Sequence, residues 1–298
     1  MRATVAAGVA MLAASSLAAC GGAATTSVHG RIAVVAGEDT WGSVARAVGA
    51  GAVTVRSIIT SPSADPHTYT ANAADAAAVA GARLVIENGA NYDNFLGQLV
   101  GASGGSPKVL DVASLLGATA SDVNPHFWYS PRYVRRVAAA IEADLAAIDP
   151  SRAAALEANL RAFDATLAPL DGAVAEIRSR YAGTPVAYTE RVPGYLLADA
   201  GLVVSTPPGY ARAVEQGTQP SFQDQLAMSR LLAAGRAAVL LYNTQTVSAV
   251  TDQAVAEARG AHVPTVRVGE TLPPGAHALV PWLIGEARAL LGALGRRG

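Results

Sequence analysis

Apolar and polar residues alternate along the chain in two blocks of short strand patterns separated by helical patterns. The first block predicts strands at residues 31–36, 53–59, 84–87 and 108–112, and helices at residues 40–49, 73–80 and 93–100. The second block predicts strands at residues 186–189, 202–205, 237–242 and 263–268, and helices at residues 194–200, 222–234, 247–258 and 279–294. Alternating strands and helices form parallel sheets covered by helices. The pattern therefore predicts an α/β fold with two parallel-sheet lobes.

Two helical patterns separate the blocks, at residues 131–148 and 151–181. Apolar residues recur at intervals of three and four along the second pattern, as in an amphipathic helix. Ser151 is the predicted N-cap, and Pro169 is expected to kink or divide the helix. The predicted domains are an N-terminal lobe at residues 31–150, a long linking helix at 151–182 and a C-terminal lobe at 183–298, with a ligand site in the cleft between the lobes.

The chain begins with Arg2 and a run of small apolar residues, which predicts a cleaved export signal at residues 1–19. The stretch LAAC, which ends at Cys20, resembles the lipobox of bacterial lipoproteins, in which the cysteine carries the lipid. Residues 20–30 are then the lipidated cysteine and a flexible tether. The alternative is a plain secretory signal that ends near a cysteine by chance. The resemblance implies a location outside the cytoplasm, anchored to the bacterial cell membrane by the lipid.

Composition excludes several classes of function. Cys20 is the only cysteine, so it leaves the folded part without a disulfide or a cysteine metal ligand. The net charge of −1 offers no basic surface for nucleic acid, and a hydrophobic content of 51% argues against disorder. No apolar run after the signal is long and uncharged enough to span a bilayer.

Four side chains with metal-binding chemistry follow predicted strands or precede helices. Ligands bind outside the carboxyl ends of strands in open parallel sheets, so such positions are candidates. His67 lies in the loop after the second predicted strand, and His126 lies just before the helix at 131–148. Glu190 directly follows the first strand of the second block, and Glu270 follows the last strand after one glycine.

Each candidate also has a simpler interpretation. A single loop histidine is usually a solvated residue or a local hydrogen-bonding group. Glu190 could cap the next helix, and Glu270 could be an exposed loop charge. Both histidines, however, follow an Asx-Pro pair, in Asp65-Pro66-His67 and in Asn124-Pro125-His126. Proline fixes φ, which lowers the entropy that is lost when the imidazole is held in place.

Five segments resemble the substrate-binding lipoproteins of manganese, zinc and iron ABC transporters. They are DPHTYTANAADAAAVAGARLVIENGANYDNFL, NPHFWYSP, TERVPGYLLADAGL, QPSFQDQLAMSRLL and VRVGETL. Together with the long connecting helix, the resemblance covers essentially the whole mature chain. It implies a monomeric, non-enzymatic protein that captures a divalent transition metal and delivers it to a membrane permease.

The resemblance also implies the metal ligands, since the family takes two histidines from the first lobe and two further ligands from the second. The matching positions are His67, His126, Glu190 and Glu270. Zinc-binding members usually have a histidine in place of Glu190 and a histidine-rich loop that is absent here, whereas manganese and iron binders usually have glutamate there and aspartate in place of Glu270. Asn243 stands where relatives often have a glutamate that is not a primary ligand.

The donor set suits a divalent cation. Two neutral imidazoles and two carboxylates carry a formal charge of −2, which one divalent ion neutralises. Carboxylates bind through one or both oxygens, which allows the expandable shell that manganese and ferrous iron favour, although zinc has the higher intrinsic affinity. Two other functions fit the same pattern, one being that of an enzyme and the other that of a binding protein with a different ligand. A metal-dependent hydrolase needs an open position for water, and a lipoprotein for siderophores or cobalamin needs aromatic or basic residues along the cleft.

Overall fold

The computed structural model describes residues 30–61, 64, 69–118, 120 and 122–296. The chain from Arg31–Gly298 forms one compact unit. The predicted signal at residues 1–19, Cys20 and His67 lie outside the described residues. Within the described part of the chain, every helix is too short or too polar to cross a bilayer.

The first lobe is a sheet of four parallel strands in the order β2-β1-β3-β4. Its strands are β1 (Ile32–Glu38), β2 (Val53–Ile59), β3 (Leu84–Glu87) and β4 (Lys108–Asp111), and its helices are α1 (Asp39–Gly49), α2 (Ala73–Ala80), α3 (Asn94–Ala102) and α4 (Val112–Leu116). The short helix α4 was not predicted. It begins where the Asp111 side chain accepts a hydrogen bond from the backbone of Ser114, a local cap that hydrophobic periodicity does not detect.

Three helices connect the lobes, namely α5 (Pro131–Ile148), α6 (Ala153–Thr166) and α7 (Ala168–Tyr181). The predicted long helix is divided, as expected, just before Pro169, which lies in the first turn of α7 where its missing N–H costs least. The predicted cap at Ser151 is wrong. Helix α6 begins later, after a short 3₁₀ turn, and the capping carboxylate is Asp149, which accepts a hydrogen bond from the Ser151 backbone at 3.2 Å.

The second lobe repeats the topology of the first, with four parallel strands in the order β6-β5-β7-β8. Its strands are β5 (Pro185–Tyr188), β6 (Val203–Val204), β7 (Leu240–Asn243) and β8 (Thr265–Val268), and its helices are α8 (Gly194–Asp199), α9 (Pro208–Glu215), α10 (Phe222–Ala233), α11 (Ala249–Gly260) and α12 (Leu279–Leu294). Helix α9 was not predicted, because it begins at a Pro-Pro pair that indicates a turn. The predicted α/β class with two parallel-sheet lobes is confirmed.

One hydrophobic cluster contains buried side chains of both lobes, and two smaller clusters lie within the second and the first lobe. Helix α12 packs against α7 and against α1 of the first lobe. Two backbone hydrogen bonds support this contact, since Leu272 donates to Asp39 Oδ1 and Leu279 donates to Ser43 Oγ, each at 3.1 Å. The lobes are therefore held together by packing as well as by the linking helices, and this limits how far they can separate.

Candidate metal centre

Three polar side chains lie next to one another at the carboxyl edge of the second sheet. Glu190 follows β5, Asn243 is the last residue of β7, and Glu270 follows β8. Strand β7 lies between β5 and β8, so Asn243 stands between the two glutamates. Asn243 was predicted to follow its strand, but the structure makes it the end of the strand, within the ladder. The parallel arrangement brings all three side chains to one edge of the sheet.

Neither glutamate has the simpler role that its sequence allowed. The side chains of Glu190 and Glu270 belong to residues that are 1% and 0% exposed, so Glu270 is not a surface charge. Helix α8 has Pro193 as its N-cap and no side-chain cap, so Glu190 does not cap it. Both carboxyl groups instead face the interior between the lobes, where a buried charge needs a partner.

His126 brings an imidazole from the first lobe to these carboxylates. It is fully buried, and its Nε2 lies 3.4 Å from Glu270 Oε2. One donor atom from each of His126, Glu190 and Glu270 lies within 4.8 Å of the others. An ion with bonds of about 2.0–2.2 Å joins donors up to about 4.4 Å apart, so small side-chain rotations bring all three onto one ion. The structure thus brings together the three predicted ligands that it describes.

The fourth predicted ligand, His67, lies outside the described residues, but the nearby residue Ala64 is connected through Gln245 to the loop that contains Glu270. The carbonyl oxygen of Ala64, three residues earlier, accepts a hydrogen bond of 3.2 Å from Gln245 Nε2. The Gln245 side-chain oxygen accepts hydrogen bonds from the backbones of Glu270, at 2.5 Å, and Thr271, at 3.0 Å. One amide side chain therefore connects the loop that contains Ala64 with the loop that contains Glu270.

Asn124 orients the imidazole of His126. Its Oδ1 lies 2.7 Å from His126 Nδ1 and accepts a hydrogen bond from the His126 backbone, while its Nδ2 donates to the carbonyl oxygen of Arg191 at 2.8 Å. Because the oxygen faces the ring, Nδ1 carries the proton and Nε2 presents its lone pair to the carboxylates. Gly194 permits this contact, since a Cβ there would lie 2.7 Å from Asn124 Nδ2.

Aromatic rings form the walls of the site. The His126 ring meets Trp128 and Tyr92 edge to face, with centroids 5.4 and 5.7 Å apart, and the Tyr92 hydroxyl donates to Glu270 Oε2 at 3.1 Å. Asn88, at the end of β3, donates to the carbonyl oxygen of Pro125 at 3.0 Å. These contacts fix the segment that precedes the imidazole and exclude water from the site, which strengthens electrostatic interactions inside it.

Burial and the charge of the neighbouring carboxylate both change the pKa of Glu190. Burial raises the pKa of Glu190 well above its usual range, and the neighbouring charge of Glu270 raises it further. Hydrogen bonds from Thr246 and Asn243 act in the opposite direction. A divalent cation would replace this repulsion with attraction, so protons and metal ions compete for the same groups.

A third carboxyl group, which is half-buried, lies behind the site. Tyr129 Oη is 2.6 Å from Glu286 Oε2 and 2.8 Å from the carbonyl oxygen of Gly269. Burial raises the pKa of Glu286 to about 8, against which the hydrogen bond from Tyr129 acts. The protonated form of Glu286 is therefore favoured at pH 7. It connects the segment after His126 with the residue before Glu270.

Sequence reasoning identified the ligand candidates but not the groups that hold them. Asn124, Asn243, Gln245 and Thr246 all contact a predicted ligand or its backbone. The Asx-Pro-His motif is a local signal for Asn124, because its side chain contacts the imidazole two residues later.

Two parallel-sheet lobes that bury an imidazole and two carboxylates at their junction are typical of two-lobed metal-binding proteins. Residues 34–293 match the sequence model of the family of zinc-uptake complex component A, periplasmic (ZnuA). The chain belongs to this family. A search of the curated proteins finds no match.

Solved structures share the fold at low sequence identity. The periplasmic zinc-binding protein TroA from Treponema pallidum superimposes with a TM-score of 0.74 and 18% identity, over 89% of this chain and 99% of that one. A crystal structure of ZnuA gives 0.73 and 21%, over 89% and 99%. The manganese-bound periplasmic metal-binding protein from Candidatus Liberibacter asiaticus gives 0.73 and 18%, over 89% and 100%.

Proposed function

We propose that this protein captures a divalent transition metal, namely manganese, zinc or ferrous iron, outside the cytoplasm and delivers it to an ABC-transporter permease for uptake. The observation that carries the proposal is the convergence of His126, Glu190 and Glu270 in a fully buried cluster at the junction of the lobes. Membership of the zinc-uptake family supports it, as do relatives that are described as zinc-binding and manganese-bound.

Four residues are the proposed ligands, namely His67, His126, Glu190 and Glu270. The contact between Gln245 and Ala64 supports the inclusion of His67, because it ties the start of that loop to the loop of Glu270. Two imidazoles and two carboxylates neutralise a divalent ion, which removes the main cost of burying it. The spacing of the donors suits one bare ion and leaves no room between them for an organic chelate such as a siderophore or cobalamin.

The proposed role is transport rather than catalysis. A metal-dependent hydrolase keeps one coordination position for water and a base beside it, whereas all four metal-binding side chains proposed here are ligands. The protein is proposed to act as a monomer that presents a metal-dependent surface to the permease. Lipid attachment at Cys20 after removal of residues 1–19 would keep it at the membrane where the permease lies.

Capture and release require movement, because the donors of His126, Glu190 and Glu270 are closed off from solvent. The packing of α12 against α1 and α7 opposes a wide hinge opening. We therefore propose that loops and a slight tilt of the second lobe admit the ion, and that loading alters the surface recognised by the permease.

The test of this function is metal loading of the mature protein. Elemental analysis is expected to find one transition-metal ion per chain, and scanning fluorimetry is expected to show a rise in Tm with manganese or zinc. A ligand bound only by the native state adds about 2.7 kcal/mol of stability at 100 times its Kd. An unchanged Tm with every divalent transition metal would contradict the proposal, and a bound organic chromophore would favour the siderophore alternative.

Glu190→His is expected to shift the preference of the site toward zinc. The substitution replaces a negatively charged oxygen ligand with a neutral nitrogen ligand, and manganese needs the carboxylate oxygen more than zinc does. Competition between the two metals in wild type and variant measures the change. An unaltered zinc-to-manganese affinity ratio would show that Glu190 does not influence the choice of metal.

A further inference from the structure

The amide of Asn243 contacts both proposed carboxylate ligands. Its Nδ2 donates to Glu190 Oε2 and to Glu270 Oε1, each at 2.7 Å. Its Oδ1 accepts a hydrogen bond of 3.1 Å from the Gln245 backbone, and the residue is fully buried. Both amide hydrogens and the carbonyl oxygen are thus engaged. The orientation of the amide follows, because a flipped group would place its oxygen against two carboxylates.

The position of Asn243 in the sheet explains this double contact. It ends β7, which lies between the strands that lead to Glu190 and to Glu270. Its backbone N–H donates to Thr189 Oγ1 at 3.1 Å, which fixes the end of the strand. A short side chain at the end of this inner strand therefore reaches both neighbouring glutamates.

The hydrogen bonds divide the oxygens of each carboxylate into two roles. Glu190 Oε2 accepts hydrogen bonds from Asn243 Nδ2 and, at 2.5 Å, from Thr246 Oγ1, which together use both of its lone-pair directions. On Glu270, Asn243 engages Oε1, while Oε2 accepts a hydrogen bond of 3.1 Å from Tyr92 and lies 3.4 Å from His126 Nε2. On each glutamate, Asn243 therefore holds the oxygen on the amide side, and on Glu270 the other oxygen lies on the imidazole side.

We propose that Asn243 makes Glu190 and Glu270 bind metal through one oxygen each, and that it thereby favours a four-coordinate shell and zinc over manganese. This inference rests on the proposed function. Two imidazole nitrogens and two single oxygens make a tetrahedral set, which zinc accepts readily. Manganese prefers more oxygen ligands and would have to break the hydrogen bonds of Asn243 to gain them. Asn243 acts on the metal through the glutamates and is a positioning residue.

The test compares wild type with Asn243→Ala and Thr246→Val in the mature protein. Each variant removes one of the two hydrogen bonds to Glu190 Oε2, the first with the amide and the second with the hydroxyl. Asn159→Ala is the matched control, since the Asn159 amide donates to the Val48 carbonyl oxygen on α1, remote from the site. Zinc and manganese affinities are measured by competition, and X-ray absorption at each metal edge gives the number of first-shell neighbours.

In wild type, zinc is expected to have four nitrogen or oxygen neighbours. In Asn243→Ala, the affinity ratio of zinc to manganese is expected to fall by roughly 10-fold or more, since partners of metal ligands typically contribute 10–100-fold. Manganese is expected to gain first-shell oxygens at the same time. Thr246→Val should change the ratio in the same direction by less, and Asn159→Ala should leave it unchanged.

Two results would overturn the inference while leaving the proposed function intact. One is a wild-type shell of five or six neighbours around zinc. The other is an unchanged affinity ratio in both Asn243→Ala and Thr246→Val, including the case in which both affinities decrease together, because that would indicate a merely structural role. If wild type binds neither metal, the proposed function fails and the inference fails with it.

Discussion

Glu190→Gln is expected to stabilise the metal-free protein and to abolish tight metal binding. The carboxyl group is buried beside Glu270, and both burial and like charge raise its pKa. Glutamine has nearly the same shape, and its oxygen can still accept the hydrogen bonds of Asn243 and Thr246. Each unit by which the folded-state pKa of a carboxyl group exceeds its unfolded value costs the wild type about 1.4 kcal/mol at high pH, and glutamine avoids this cost.

The sign of this effect depends on pH. A carboxyl group with a raised pKa in the folded state costs no stability below its unfolded pKa, because both states are then protonated. As pH rises above that value, the unfolded state ionises first and the wild type loses stability. The advantage of Glu190→Gln should therefore be near zero at about pH 4, and should grow toward pH 8.

Chemical denaturation of the metal-free protein and metal titration measure the two effects. Metal affinity is expected to fall by more than the roughly 100-fold that the loss of an outer partner can cost. Glu157→Gln is the control, because Glu157 forms an exposed ion pair with Arg161 that is worth about 0.5 kcal/mol or less. A Glu190→Gln protein that binds metal like wild type would contradict the ligand assignment.

Glu286→Gln is expected to flatten the pH dependence of stability in the metal-free protein. The pKa of Glu286 is raised from 4.5 to about 8, chiefly by burial. Between these values the folded state holds a proton that the unfolded state has released, so stability falls by about 1.4 kcal/mol per pH unit as pH rises. Glutamine stays neutral and can still contact Tyr129, so the stability of the variant does not fall for this reason as pH rises.

The difference in unfolding free energy between Glu286→Gln and wild type is therefore expected to be small at pH 5 and to reach about 4 kcal/mol at pH 8. Burial also raises the pKa of Asp39 to about 6 and that of Asp93 to about 7, so both proteins keep part of the slope. Urea denaturation of both proteins at several pH values measures this difference in unfolding free energy. A difference that is the same at pH 5 and pH 8 would contradict the raised pKa of Glu286.

The parts of the structure that local sequence determines were the parts that could be predicted. Hydrophobic periodicity placed β2 and α5 with their observed bounds, and the strand-helix order implied parallel sheets with their carboxyl edges as binding sites. That rule selected Glu190 and Glu270 as candidates, whereas His126 was selected by its place before α5 and by its Asx-Pro pair. Helices α4 and α9 were not predicted because both are short and neither begins in a periodic pattern. Helix α4 begins at a side-chain cap, and α9 begins at a proline pair.

The groups that orient the ligands depend on which strands are neighbours, which the sequence does not reveal. Asn243 bridges two glutamates only because β7 lies between β5 and β8, although β7 is separated from β5 in the chain by β6. Asn124 orients His126 only because the second lobe places the Arg191 carbonyl against its amide. Such contacts join distant parts of the chain and leave no local pattern.

A crystal structure of the metal-loaded protein, with anomalous diffraction recorded at the absorption edge of the metal, tests the central claim most directly. The expected result is a single anomalous peak between the lobes, with His67, His126, Glu190 and Glu270 each about 2.0–2.2 Å from it. A peak elsewhere, or one in which any of these four side chains lies beyond bonding distance, would contradict the account.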